Sequence, residues 1–289
     1  MELENDKWVP TDAAVSRRTL VSGLIGAGFA LAVSPVEASY VQTSPDGLDV
    51  GMKTFKCADG VEMNVYVAHP KAAKKAPVIV IIQEIFGLHE HIQDVCRRFA
   101  KLGFYAVAPN LYQRQGDATK APMSSIMADI VSKVPDAQVM SDIDSLMDWV
   151  GKQKQADAKK AGITGFCWGG RVVWLACAHG TRFKAGAAWY GRLDGNRTAL
   201  TPTQPLDIAT KLKAPVLGLY GAKDGGIPLT QIDAMKAILP KTGISGEFVV
   251  YPEAGHGFHA DYRPSYRADD AADGVKRLVA HFAKNGVKA

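Results

Sequence analysis

The 289-residue sequence predicts one α/β domain, a mostly parallel sheet with helices on both faces and an antiparallel hairpin at its amino end. Three observations carry this expectation. Two runs of alternating residues, DVGMKTFKC and VEMNVYVAHP, flank the turn residues Ala58-Asp59-Gly60, as a hairpin requires. The run from Pro77 to Ile82 is apolar without a break, as a parallel strand covered on both faces must be. Beyond it, strand-like and helix-like segments alternate to the C-terminus, a pattern that gives right-handed crossovers between parallel strands.

The elements follow in order. A helix is predicted from about His89 to Leu102, with Ile92, Val95, Cys96 and Phe99 on one face, and then a strand, FYAVAPN. After a polar loop, a helix runs from Asp136 to about Gly151, followed by the short strand GITGF and a helix from Trp168. The strand FKAGAAWYG, an irregular stretch near 192–210, the strand PVLGLYG, the helix LTQIDAMKAIL, the strand GEFVVYP and a helix over about 268–283 complete the chain. No internal repeat and no second domain is visible. In such a sheet, ligands bind beyond the carboxyl ends of the strands, so the chemistry is to be sought there.

With 47% hydrophobic and 22% charged residues, the composition is that of an ordinary globular chain. The first 38 residues stand apart. Ser16-Arg17-Arg18-Thr19 carries a twin arginine, followed by about twenty weakly apolar residues ending in Val36-Glu37-Ala38, an A-x-A-like cleavage signal. The pattern predicts a bacterial twin-arginine export signal over 1–38, a linker over 39–48 and a catalytic domain over 49–289, hence a periplasmic protein. A retained membrane anchor is the alternative. Removal of residues 1–38 would take three basic and five acidic residues, raising the formal charge of +5 by two. The lysines and arginines of the domain are scattered, with no basic-aromatic stripe for nucleic acid, so a small molecule is the expected partner. No cofactor, no membrane contact after cleavage and a monomer are expected. Four cysteines (Cys57, Cys96, Cys167, Cys177) are too few for a disulfide scaffold, although Cys57 with Cys96 is a conceivable pair. Cys96 and Cys177 fall on apolar helix faces and read as small buried hydrophobes.

Cys167 is different. Gly165-Phe166-Cys167-Trp168-Gly169 stands where a strand hands over to a helix and has the form of a nucleophile elbow, Gly-x-Ser-x-Gly, with cysteine for serine. The flanking glycines have a steric reason: side chains there would collide with the neighbouring strand and helix. The elbow would expose Cys167 at the sheet's edge, at the amino end of a helix whose unpaired N–H groups favour a thiolate and a developing oxyanion. A cysteine packed tightly among glycines is the plainer reading of the motif alone. Its partners decide between the two. An elbow of this type predicts an acid after a later strand and a histidine after the last one, and Asp224 and His256 stand at those two positions. Each could be an ordinary loop residue, but three correct types at three correct topological positions point to a relay. His256 would take the thiol proton, and Asp224 would fix the imidazole tautomer and stabilise the imidazolium.

With QEIFG (Gln83–Gly87), APNLYQRQG, GFCWGG, GHGFHADYRPSY and the order Cys, Asp, His, the chain resembles the dienelactone hydrolases (carboxymethylenebutenolidases) of the α/β-hydrolase fold from about residue 50 to the C-terminus. The resemblance implies hydrolysis of an unsaturated cyclic ester to a ring-opened dicarboxylate through an acyl-thioester. It maps the family's glutamate to Glu84, which there contacts the thiol and takes its proton when substrate enters. It puts the oxyanion hole at the backbone N–H groups of Ile85 and Trp168, where one such donor contributes about 3 kcal/mol to the transition state. Glu84 could equally be a carboxylate at a solvated strand end. The sequence also departs from the family pattern. Where the family has a substrate-binding arginine four residues after the histidine, Ala260 stands, with Arg263 the nearest candidate. A second family arginine has no match between Gly116 and Val139, leaving Tyr112 as a candidate contact. The rival readings are a general carboxylesterase of the same fold and a periplasmic binding protein with an inert Cys167. A metal enzyme using His89-Glu90-His91 or His256, His259 and Asp261 is disfavoured, because neither set has zinc-site spacing and His89 and His91 would point to different sides of a regular element.

Overall fold

The structure, a computed structural model, describes residues 41–239, 244 and 246–289. The expected export segment therefore lies outside the described residues, and among those described no helix is long and apolar enough to cross a membrane.

The hairpin is β1 (Leu48–Lys56) against β2 (Glu62–Pro70), antiparallel with Lys56 opposite Glu62. The wholly buried β3 (Ala76–Ile82) leads into α1 (Glu90–Lys101) and β4 (Tyr105–Pro109). A one-turn helix α2 (Met123–Ser125) and irregular helical turns precede α3 (Asp136–Val150), β5 (Ala156–Phe166) and α4 (Trp168–His179). Then come β6 (Ala185–Trp189), the short α5 (Pro205–Ile208), β7 (Val216–Gly221), α6 (Leu229–Ile238), β8 (Gly246–Tyr251) and α7 (Ala268–Lys284). One eight-stranded sheet results, in the order β1-β2-β4-β3-β5-β6-β7-β8. β2 pairs β4 antiparallel, and every pair from β4 to β8 is parallel.

Two glycines show that helices cover both faces. Gly162 of β5 abuts Phe282 of α7, and Gly186 of β6 abuts Val173 and Cys177 of α4. Gly162 pairs with Ala185, the neighbour of Gly186, and adjacent residues of a strand face opposite ways, so α7 and α4 lie on opposite sides. Burial on both faces is why β3, β4, β6 and β7 carry almost no polar residue.

The sequence reading differs from the structure in three stretches. β5 is longer than GITGF: Ala156 and Asp157 pair with Ala76 and Pro77, and a register shift at Pro77/Val78 absorbs the intervening Ala158–Lys160. These polar, largely exposed residues carry no apolar signal. The loop before α3 is helical over 123–133 and buries Ile126, Ile130 and Val131. The irregular stretch 192–210 contains α5, capped reciprocally by Gln204 and Asp207. All four cysteines are free, so Cys57 and Cys96 do not pair.

The segment entering the hairpin is tied to α1. Asp94, fully buried, accepts from Thr43 N at 2.6 Å and Thr43 Oγ1 at 3.2 Å. It also accepts from Arg97 Nη2 at 2.9 Å and Arg98 Nε at 2.6 Å. Arg98 in turn donates to Val41 O at 3.3 Å and ion-pairs with Asp261, from the loop after β8.

Candidate active site

β5 ends at Phe166, and the chain turns through Cys167 with φ 56° and ψ −115° before α4 begins. A left-handed φ on a non-glycine residue is a strained conformation that surrounding structure must impose. Here the imposition is visible. A Cβ on Gly165 would stand 2.4 Å from Gly169 O, and one on Gly169 would stand 2.4 Å from Ile82 O, so only glycine lets β3, β5 and α4 approach this closely. Cys167 N donates to Trp189 O at 3.0 Å, tying the turn to β6. We expect Gly169→Ala to destabilise the fold by about 3 kcal/mol, because backbone cannot yield as a side chain can. Thermal denaturation of the variant should show a Tm roughly 10 °C lower.

The backbone N–H groups of Ile85, after β3, and Trp168, at the start of α4, face no backbone acceptor among the described residues. They meet the first requirement of an oxyanion hole, donors left open at a helix start and a strand end.

Asp224 follows β7 and His256 follows β8, and the two side chains meet. His256 Nδ1 lies 2.7 Å from Asp224 Oδ2, and Asp224 Oδ1 accepts from Gly226 N at 2.9 Å. Asp224 is nearly inaccessible, so the imidazole is gripped from the buried side. His256 is 30% exposed at its rim, yet its Nε2 is buried and finds no hydrogen-bond partner among the described residues. Burial opposes protonation of this ring, but the neighbouring Cys167 and the Asp224 carboxylate outweigh it and hold His256 up to about 10. A carboxylate so placed favours the imidazolium form of the ring.

Glu84 stands two residues after β3 and is buried. Its Oε2 accepts from Tyr262 Oη at 2.5 Å and lies 3.9 Å from His89 Nε2, and Arg263 Nη2 lies 3.8 Å from Oε1. Burial works against the carboxylate, but above all the Arg263 charge, with the Tyr262 hydroxyl, outweighs it and holds Glu84 below the usual range. Burial and the neighbouring His91 push His89 down to about 3, so its contact with Glu84 is not an ion pair at neutral pH. Glu84 is not at a solvated strand end, and among the described residues it makes no hydrogen bond to the thiol. Arg263 and Tyr262 draw it toward the loop after β8.

Two further hydroxyls converge on the same space. Tyr112 and Tyr190 are buried, their Oη atoms have no hydrogen-bond partner among the described residues, and both are held well above the ordinary tyrosine range. Burial is the main cause, with Cys167 and Glu84 adding to it. Tyr112 packs on Trp168 with ring centroids 4.8 Å apart, and Tyr190 meets His256 edge-on at 5.1 Å.

The structure thus brings Asp224 and His256 together and sets Tyr112 and Trp168 beside each other. Arg263, expected as the nearest replacement for the arginine missing at Ala260, lies with its charge against Glu84 and its guanidinium over Phe86, 4.7 Å from the ring centroid. Ala260 itself is fully buried. One expectation is overturned: His89 and His91 do not diverge. Their rings stack at 5.9 Å, because His89 is the extended N-cap of α1 and escapes the helical period. Among the described residues, no group of three or more His, Cys, Asp or Glu could hold a metal ion. A cavity of about 500 Å³ between Ala58, Met140, Asp144 and His179 shares no residue with this cluster and lies along α3 rather than at the carboxyl ends of the strands. Sequence reasoning missed Tyr190 and Tyr262. Their only signals were a tyrosine closing FKAGAAWYG and one preceding Arg263 in the histidine loop.

The residue profile of the dienelactone hydrolase family matches residues 63–286. A proposed carboxymethylenebutenolidase of Methylorubrum extorquens is 54% identical over 275 residues, 94% of each chain. One of Escherichia coli strain K12 is 45% identical over 263 residues, covering 90% of this chain and 96% of the other. A crystal structure of a proposed dienelactone hydrolase from Klebsiella pneumoniae superposes with a TM-score of 0.79 at 46% identity, covering 82% of this chain and 99% of that one.

Proposed function

Because the chain belongs to the dienelactone hydrolase family, a family of carboxymethylenebutenolidase-like hydrolases, we propose that it opens a small lactone or cleaves an activated ester with Cys167 as nucleophile, His256 as base and Asp224 as the acid that orients it. The observation that carries this reading is the 2.7 Å contact of His256 Nδ1 with buried Asp224, which leaves the buried Nε2 beside a cysteine on a left-handed elbow.

The steps follow from those positions. His256 Nε2 takes the thiol proton, and Sγ attacks the carbonyl carbon. Negative charge gathers on the carbonyl oxygen, where the N–H groups of Ile85 and Trp168 would receive it. Collapse breaks the C–O bond of the ester, and the imidazolium protonates the departing alkoxide, leaving an acyl-thioester on Cys167. In a lactone the alcohol so formed stays attached to the acyl group. Water, deprotonated by His256, then attacks the thioester, and collapse expels the thiolate with the acid as product. Tyr112 and Tyr190 offer hydroxyls to polar atoms of the bound molecule. Residues 16–38 support the further reading that the reaction takes place in the periplasm.

Two measurements on the purified protein test the proposal. Iodoacetamide should alkylate Cys167 rapidly at neutral pH, with a substrate analogue protecting it. Asp224→Asn should slow both alkylation and turnover at least about a hundredfold. The sign is set by the Asp224 carboxylate, which favours the imidazolium: without it the protonated ring is less favoured, and His256 is a weaker base toward the Cys167 thiol. Unchanged rates in Asp224→Asn would remove Asp224 from the relay, and a Cys167 that iodoacetamide does not label would be inert. A panel of lactones against open esters then separates a lactonase from a general carboxylesterase.

A further inference from the structure

We propose that Tyr262 is a positioning residue for this reaction, acting through Glu84. The inference rests on the reading that Cys167 is the nucleophile and that Glu84 belongs to its site. Glu84 is a buried carboxylate in the segment just after β3, and among the described residues one hydrogen bond holds it, that from Tyr262 Oη at 2.5 Å. Arg263 supplies charge at 3.8 Å but no hydrogen bond, and Oε1 is left without a partner among the described residues. A carboxylate held only by charge can turn about its side-chain torsions. One held by a short bond from a phenol cannot, so the direction in which Oε1 points depends on Tyr262.

Tyr262 is itself fixed from behind. The preceding residue, Asp261, is buried between His91 Nδ1 at 2.9 Å and an ion pair with Arg98, which is locked to Asp94 on α1. The ring packs against His91 at 5.0 Å, His89 at 5.2 Å and Phe86 at 6.4 Å. Backbone bonds from Ala260 N to Gly257 O and from Arg263 N to Ala260 O, each 3.0 Å, coil the loop between His256 and Tyr262. The loop that carries the base therefore also carries the residue that aims Glu84, over 178 positions of sequence separation. An aromatic filler would need no hydroxyl at this place. Here the hydroxyl satisfies a buried anion.

The test compares Tyr262→Phe, which keeps the ring, with the parent protein and with Glu84→Gln, using p-nitrophenyl acetate. We expect kcat to fall roughly ten- to hundredfold, as loss of a hydrogen bond to a charged group would cause, with KM changed by less than about threefold. The groups facing Glu84 are Arg263, His89, His91, Tyr262 and the Tyr112 and Tyr190 hydroxyls. Removing one donor to the ionised carboxylate moves its titration, and with it the acid limb of the pH–rate profile, to higher pH. In a Glu84→Gln background the tyrosine substitution should cost almost nothing further. Tyr262→Gln, which retains a donor, should recover part of the loss. A merely structural tyrosine would lower Tm without moving the acid limb. Wild-type kcat and acid limb in Tyr262→Phe, or losses that multiply with those of Glu84→Gln, overturn the proposal. Cys167→Ala assayed in parallel keeps the two readings apart. Activity surviving in that variant removes the nucleophile, whereas an inactive Cys167→Ala beside a normal Tyr262→Phe removes only the role of Tyr262.

Discussion

Cys167→Ala is expected to abolish hydrolysis of p-nitrophenyl acetate and of dienelactone, with kcat falling on the order of 10⁵-fold while the fold survives. Alanine keeps a Cβ and nothing more, so the steric fit of the elbow is unchanged and the left-handed turn costs about what it cost with cysteine. What disappears is the sulfur proposed to carry the acyl group. The same logic makes the effects of the relay non-additive: once Sγ is gone, His256 has no proton to take, and Cys167→Ala/His256→Ala should be little slower than Cys167→Ala alone. Steady-state kinetics on Cys167→Ala, His256→Ala and the double variant, with circular dichroism to verify folding, reads this directly. If Cys167→Ala retains turnover, or if the two substitutions multiply, water or another side chain performs the attack and the assignment of Cys167 is wrong.

Asp94→Ala should be the most destabilising of the side-chain substitutions considered, by about 3–5 kcal/mol. Asp94 lies at the centre of a buried charge cluster and accepts from Arg97, Arg98 and both the backbone and the hydroxyl of Thr43. Its removal takes a shared carboxylate from two guanidinium groups that are themselves nearly buried, leaving Glu90 as the acid beside Arg97 and Asp261 beside Arg98. Taking one carboxylate from a buried charge cluster costs far more than the intact cluster contributes over an apolar replacement, so a double variant with Arg98→Met should recover part of the loss. A fall in Tm on the order of 10 °C by differential scanning calorimetry is the expected reading. Thr43 should also lose its anchor, exposing residues 41–47 to proteolysis under native conditions. A Tm within a degree or two of the parent would mean that water replaces the carboxylate at little cost and that the cluster is not structural.

The sequence by itself determined the sheet, the elbow and the chain order of the relay. Each is encoded locally: period-2 alternation marks β1 and β2, an unbroken apolar run marks β3, and Gly165 and Gly169 mark a crossing so tight that no other residue fits. Because a parallel α/β sheet sends the ends of its strands to one edge, knowing that Asp224 follows β7 and His256 follows β8 was enough to expect them near Cys167. The polar start of β5 and the helical turns over 123–133 were not legible, since exposed ladders and single turns carry no hydrophobic period. Nor was the environment of Glu84. Its motif QEIFG was plain, but the tyrosine that bonds it and the arginine that charges it come from the loop after β8, whose path no periodicity describes. His89 shows the same limit, since its stacking on His91 depends on a capping residue leaving the helical repeat. Backbone regularity follows from short-range patterns of size and polarity. Which buried polar atoms face one another is decided only when distant loops close over the same strand ends, and in this protein that closure is what set the partners of Glu84.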